Sequence, residues 1–133
     1  MGKAFDFLTE AGTYFLCTTD GDMPSSRPFG SKYLSPEGVL HVSTTNNKAV
    51  YKQLIANAKV ALVAMKPDRS WIRITGTAVE LEDMELKLTI MRSNPRMTEE
   101  MIEQQKETSA IFRIENPNAV LYESGKDAET VEI

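Results

Sequence analysis

The chain has 133 residues, 41% apolar and 26% charged, with a net charge of −4. That is one domain of ordinary globular composition, long enough for a core without disulfides, and its acidic balance counts against a nucleic-acid binder, which uses a basic face. No apolar run reaches the length of a membrane span. Lys3, Asp6 and Glu10 interrupt any secretory segment, and the single Cys17 leaves no internal disulfide or multi-cysteine metal site, so a reducing cytoplasm is expected.

Lys3 to Glu10 has the spacing of a short amphipathic helix with Phe5, Phe7 and Leu8 inward, and Gly12 suits its C-terminal cap. Tyr14 to Thr19 is rich in β-formers, and Asp20-Gly21-Asp22 after it is a hairpin signal. The returning strand runs from Ser25 to Leu34. Pro24 and Pro28 assign it to an edge or a bulge, since proline cannot donate to a ladder. Ser35-Pro36-Glu37-Gly38 turns the chain into a third strand, Val39 to Thr44. Asn47 to Asn57 is helical, with Val50, Leu54 and Ile55 on one face. Lys59 to Met65 is nearly all apolar, the pattern of a buried central strand.

After the turn at Lys66-Pro67-Asp68-Arg69, Trp71 to Leu81 alternates, and Gly76 in mid-strand marks a bulge, a bend or the close approach of another backbone. The period becomes helical from Asp83 to Arg92, Asn94-Pro95 ends that helix, and Thr98 caps another with Glu99 and Glu100 in its first turn. Ser109 to Ile114 and Ala119 to Tyr122 are two last strands, joined by Glu115-Asn116-Pro117-Asn118. Ser124 to Ile133 reads as a polar, mobile tail. About seven strands in hairpin order, interrupted by three or four helices, make a mainly β antiparallel barrel with helical insertions. A doubly wound sheet would need regular strand–helix alternation.

The stretch richest in chemistry is Val42-Ser43-Thr44-Thr45-Asn46-Asn47-Lys48, where a strand ends in hydroxyl and amide residues and a helix begins. A helix N-terminus offers unpaired N–H groups and the positive end of its dipole. Thr44 and Thr45 add hydroxyl donors and Lys48 a full charge, so the junction suits an anion, a phosphate above all.

Three segments then carry a resemblance: Ser26-Arg27-Pro28-Phe29-Gly30, the Ser43 to Lys48 stretch with Tyr51-Lys52-Gln53-Leu54 after it, and Trp71-Ile72-Arg73-Ile74-Thr75-Gly76-Thr77-Ala78. In this order and spacing the chain resembles the FMN-binding split barrels of the pyridoxamine 5′-phosphate oxidase superfamily, near the short general-stress and nitroimidazole-resistance-like branch, from about Phe5 to Tyr122. The resemblance implies a split, Greek-key-like β-barrel over residues 1–123, a polar tail over 124–133, and a homodimer holding FMN at its interface. It implies that Arg27 meets the phosphate or the ring edge. Pro28 and Phe29 would present backbone groups to the isoalloxazine, and Thr44, Thr45, Asn47 and Lys48 would serve the phosphate. Gln53 would lie near the cofactor, and Trp71 would reach the ring of an FMN held by the other subunit.

Each of these residues has a plainer reading. Arg27 and Lys48 also suit solvated charges, Asn46 and Asn47 helix caps, Trp71 interface core, and Gln53 a solvent-facing position. His41, the only histidine, alternates against Leu40 and Val42 and is expected to face solvent or a partner as a structural residue. Nothing marks it as paired with Cys17 for nucleophilic catalysis or as a metal ligand. The Arg- and His-bearing C-terminal segment with which pyridoxamine-phosphate oxidases grip their substrate has no counterpart in Ser124 to Ile133, so oxidation of that substrate is not expected. Asn47 also stands where longer members carry serine or arginine.

The leading expectation is an FMN-dependent oxidoreductase passing electrons from a reduced nicotinamide, NADH or NADPH, to a small acceptor such as a nitro compound or quinone. The second is a non-catalytic flavin or haem binder on the same barrel, holding its cofactor for sensing or storage, with which the lone His41 is compatible as a haem ligand. The third is a small barrel binding oligonucleotides or a partner protein, of which the acidic charge and an aromatic content of 8% disfavour the nucleic acid.

Overall fold

A computed structural model describes residues 2–133. Its elements run α1 (Lys3–Ala11), β1 (Tyr14–Asp20), β2 (Met23–Phe29), β3 (Tyr33–Leu34), β4 (Leu40–Thr45), α2 (Ala49–Ala56), β5 (Lys59–Met65), β6 (Trp71–Leu81), α3 (Met84–Arg92), α4 (Glu99–Gln105), β7 (Ser109–Tyr122) and β8 (Glu129–Val131). The sheet order is β2-β1-β5-β6-β7-β4-β3, every pairing is antiparallel, and β8 adds to β7.

The two ends of this path, β2 and β3, are consecutive in the chain and joined only by Gly30, Ser31 and Lys32. Laid flat, seven strands would hold the edges roughly 29 Å apart at about 4.8 Å per step. The link spans at most about 14 Å. The sheet must therefore curl until its edges meet, and the result is a barrel left open along one seam. Tyr14, Leu16, Leu62, Ile72, Ile74 and Phe112 fill it, each at 1% exposure or less. Among the described residues, no helix is long and apolar enough to cross a membrane.

Four details differ from the sequence-based expectation. The strand expected over Ser25 to Leu34 breaks after Phe29, because the chain must leave one edge of the sheet and join the other. The two strands expected at 109–122 are one, since Glu115-Asn116-Pro117-Asn118 forms a bulge rather than a turn. Thr75 faces Asn118 and Thr77 faces Glu115, which sets Gly76 alone against Asn116 and Pro117. Pro117 needs no ladder partner there, and Asn116 takes the positive φ of 51°. Residues 124–133, expected to be a mobile tail, fold back as β8. The Ala4 and Phe5 N–H groups of α1 donate to the Glu132 and Ile133 carbonyls at 3.0 and 3.1 Å. His41 is buried at 4% exposure instead of facing outward, because β4 lies between β3 and β7 and Tyr33 packs its ring edge-on at 5.8 Å. The expected close backbone approach at Gly76 and the Thr98 cap are present, the latter accepting from the Met101 N–H at 3.1 Å.

A Cβ at Gly76 would stand 2.6 Å from Ile114 Cγ2 and 3.0 Å from the Glu115 carbonyl oxygen. Gly76→Ala is expected to lower stability by roughly 1–3 kcal/mol, read as a drop in denaturation midpoint. Burial holds the His41 imidazole below its ordinary pKa, so the unfolded chain takes up the proton first. The His41 contribution is therefore complete above about pH 6.5, the unfolded-state value, and is lost as pH falls from there through the lower pKa of the folded state. Thermal melts between about pH 7.5 and about pH 5 should decline less steeply for His41→Asn than for the unsubstituted protein.

Candidate functional site

β4 ends at Thr45, and Asn46, Asn47 and Lys48 turn the chain into α2. The Asn46 N–H donates to the Thr108 carbonyl at 2.8 Å and the Lys48 N–H to the Thr45 carbonyl at 3.2 Å. The helix starts two residues later than the sequence suggests, so Lys48 occupies the capping position in an extended conformation and no side chain caps the helix. The Tyr51 N–H closes a turn onto the Lys48 carbonyl at 3.1 Å, which leaves the Ala49 and Val50 N–H groups for water or an anion.

This junction borders an open cleft of about 840 Å³. It is lined by the seam segment Pro28 to Lys32, by Ser43 to Thr45 and by the α3–α4 connection, Ser93 to Met97. Three cations, Lys32, Lys48 and Arg96, line the cleft and no carboxylate does. None of the three has an ion-pair partner among the described residues. Phe29, Ile90, Met91 and Met97 supply apolar surface beside them.

The Thr44 hydroxyl is buried and has no hydrogen-bond partner. An unpartnered buried hydroxyl costs free energy, on the order of 1–3 kcal/mol. Thr44 also belongs to the lining of this positively lined cleft, whose size suits small ligands. A phosphate accepts hydrogen bonds and carries negative charge, and a flat ring needs apolar walls. The donor set and the walls therefore fit a phosphorylated aromatic cofactor.

Of the residues the sequence singles out, Pro28, Phe29, Thr44, Thr45 and Lys48 meet at this cleft. Arg27 and Gln53 meet each other instead. Arg27 Nη1 donates to the Leu16 carbonyl and to Thr18 Oγ1, both at 2.9 Å. Its Nη2 donates to Ser25 Oγ at 2.7 Å and to Gln53 Oε1 at 2.8 Å. Thr18 Oγ1 also donates to Gln53 Oε1, at 2.6 Å. Every acceptor is neutral, and burial pulls the guanidinium below its ordinary pKa, though such a group stays protonated in a protein. The cluster clamps α2 against β1 and β2. Asn47 lies exposed in the turn, outside the cleft.

Trp71 stands on the outer face of the sheet, stacked on Tyr122 at 4.0 Å and 8°, with the Arg73 guanidinium 5.1 Å from its ring. Lys32 and Arg96 are the charged lining residues that sequence reasoning missed. Lys32 fell inside an expected strand, where a break at Gly30-Ser31 was the only local signal. Arg96 lies in a loop whose facing surface no local pattern reveals.

Comparison with known proteins follows the same lines. The family model described as pyridoxamine 5′-phosphate oxidase matches residues 2–118. None of the curated proteins matches. A NimC/NimA family protein from Clostridium acetobutylicum superposes with a TM-score of 0.87 at 28% identity, over 100% of this chain and 92% of the other. General stress protein 26 from Bacillus anthracis str. Sterne gives a TM-score of 0.68 at 20% identity, over 100% of both chains. A heme binding protein from Mycobacterium smegmatis gives 0.72 at 9% identity, over 95% of this chain and 55% of that one. The last two likenesses establish the split-barrel fold alone. With the family model covering residues 2–118, the chain belongs to the pyridoxamine 5′-phosphate oxidase family.

Proposed function

We propose that the cleft is an FMN site and that the protein is a dimeric, cytoplasmic flavin-dependent oxidoreductase. The observation that carries this reading is a cleft lined by Lys32, Lys48 and Arg96 and free of carboxylates, with Thr44, whose buried hydroxyl has no partner, in its lining. A bound FMN would supply reversible two-electron transfer between NADH or NADPH and a small nitro or quinone acceptor. Thr44 would donate to the phosphate, with the Thr45 hydroxyl and the Lys48 ammonium beside it. Phe29 and Met91 would shield the ring from water. Cationic groups near a flavin ring favour its reduced, anionic form. Arg27 would act at one remove, through its clamp on Gln53 and α2.

The sheet's outer face supports pairing of two copies. In register order across β1, β5, β6 and β7, Phe15, Val63, Arg73 and Val120 form one row, and Met65, Trp71 and Tyr122 form the next across β5, β6 and β7. Phe15 is 49% exposed and Met65 64%. Exposed and half-buried apolar side chains grouped in this way suit an interaction site, and a second copy on this face would bring Trp71 toward its partner's cofactor. A haem reading lacks a histidine at the cleft, because His41 lies buried beside Tyr33 and outside it.

FMN should raise the melting temperature of the protein, since a ligand held only by the native state stabilises it. Thr44→Val removes the unpartnered hydroxyl without changing its shape. It should leave the flavin-free melting temperature equal or higher while weakening FMN binding roughly 10- to 100-fold, the loss of one hydrogen bond to a charged group. Equal FMN affinity in both proteins would remove the reading's main support, and NADH or NADPH that fails to bleach the bound flavin would leave a binder rather than an enzyme. Phe15→Glu or Met65→Glu should shift the sedimentation coefficient from dimer to monomer. An unchanged value would rule out this face as the contact.

A further inference from the structure

β3 and β4 keep one register, with Tyr33 opposite His41 and Leu34 opposite Leu40. Continued by the same count, that register sets Ser31 opposite Ser43, yet Gly30, Ser31 and Lys32 lie outside any strand. One side chain takes the place of the missing backbone pair. The Ser43 N–H donates to Ser31 Oγ at 3.0 Å, and Ser31 Oγ donates to the Ser43 carbonyl at 2.8 Å. The Ser31 carbonyl is held in turn by the hydroxyl of Tyr14, a ring buried at 0% exposure. Burial pushes the Tyr14 phenol well above its usual range, so it remains a donor.

We propose that Ser31 is a side-chain rung of the β-ladder that holds the seam open and thereby positions the cleft's anion-binding lining. The inference rests on reading the cleft as the FMN site. A backbone pair here would draw Gly30–Lys32 into the ordinary strand spacing and close the gap; a hydroxyl rung keeps the two main chains a side chain's length apart. Along an antiparallel strand, alternate residues direct their N–H and C=O groups to the same edge. Two residues beyond Ser43 that residue is Thr45, and its register partner is Phe29. Both line the cleft. The rung therefore stands at the last position before the ladder gives way to the site, one residue from Thr44. Removing it leaves two main-chain groups of Ser43 without their partner and frees the segment that carries Lys32.

The test compares the unsubstituted protein with Ser31→Ala, which has no rung, and Ser31→Thr, which keeps the hydroxyl. Two quantities are measured: FMN affinity by quenching of flavin fluorescence, and amide exchange of Ser43 by NMR without added flavin. Ser31→Ala should speed Ser43 exchange roughly tenfold or more while Val42 and Thr44, which bond toward β7, stay protected. It should also weaken FMN binding roughly tenfold, and Ser31→Thr should restore both. If Ser31→Ala does not fold, Ser31→Cys keeps the side-chain length with weak hydrogen bonding and serves in its place. Unsubstituted protein that ignores FMN overturns the cofactor reading and, with it, the positioning role. Unsubstituted protein that binds FMN while Ser31→Ala binds it equally well overturns this inference alone.

Discussion

The structure depends on a length constraint: three residues, Gly30 to Lys32, connect the two strands at opposite ends of the sheet's path. Because the link is shorter than the flat sheet is wide, curling is compulsory. Curling encloses the inward face of every strand, which is why β1, β5, β6 and β7 present alternate buried residues. It also produces a seam, and a seam is where main-chain groups, hydroxyls and cations can face a ligand without leaving the scaffold.

The remaining elements protect that closed arrangement. α1 places Ala4, Phe7 and Leu8 in the core, and the backbone of residues 132 and 133 satisfies two of its first-turn N–H groups. Helix ends need such partners when they pack against a core. α2 crosses the barrel with Val50 and Leu54 buried, and the Arg27–Gln53–Thr18 cluster fixes it to β1 and β2 with bonds of 2.6 to 2.9 Å. That cluster carries a charge but no counterion within it, and its hydrogen bonds all go to neutral acceptors. The position of α2 in turn sets where Lys48 stands.

Electrostatically the cleft is an exception on an acidic molecule. The chain carries 19 acidic and 15 basic residues, yet the lining of the cleft holds three basic residues and no acidic one. Elsewhere some of the cations enter exposed ion pairs, such as Lys3–Glu129 and Arg92–Glu99. Exposed pairs of that kind add little to stability. Leaving Lys32, Lys48 and Arg96 unpaired in a lining that includes Thr44, whose buried hydroxyl has no partner, is a local cost that a bound anion would offset.

Local chemistry made much of this legible. Alternation over Trp71 to Leu81, the apolar run Lys59 to Met65, the Asp20-Gly21 turn and the Thr44–Lys48 junction were all readable from the sequence, because each rests on neighbours within a few residues. Gly76 announced a close approach for the same reason. The tertiary structure alone decided the rest. It turned Glu115-Asn116-Pro117-Asn118 into a bulge, because β6 runs alongside to bridge it. It docked Glu129 to Val131 on β7, because an open strand edge was available there. It broke the second strand after Phe29, brought Arg96 to the cleft that Thr44 lines some fifty residues away in sequence, and withdrew Arg27 into a clamp. A sequence fixes what each residue can donate, accept or bury. Which groups meet is settled by closure of the sheet, a constraint on the whole chain that no local window contains.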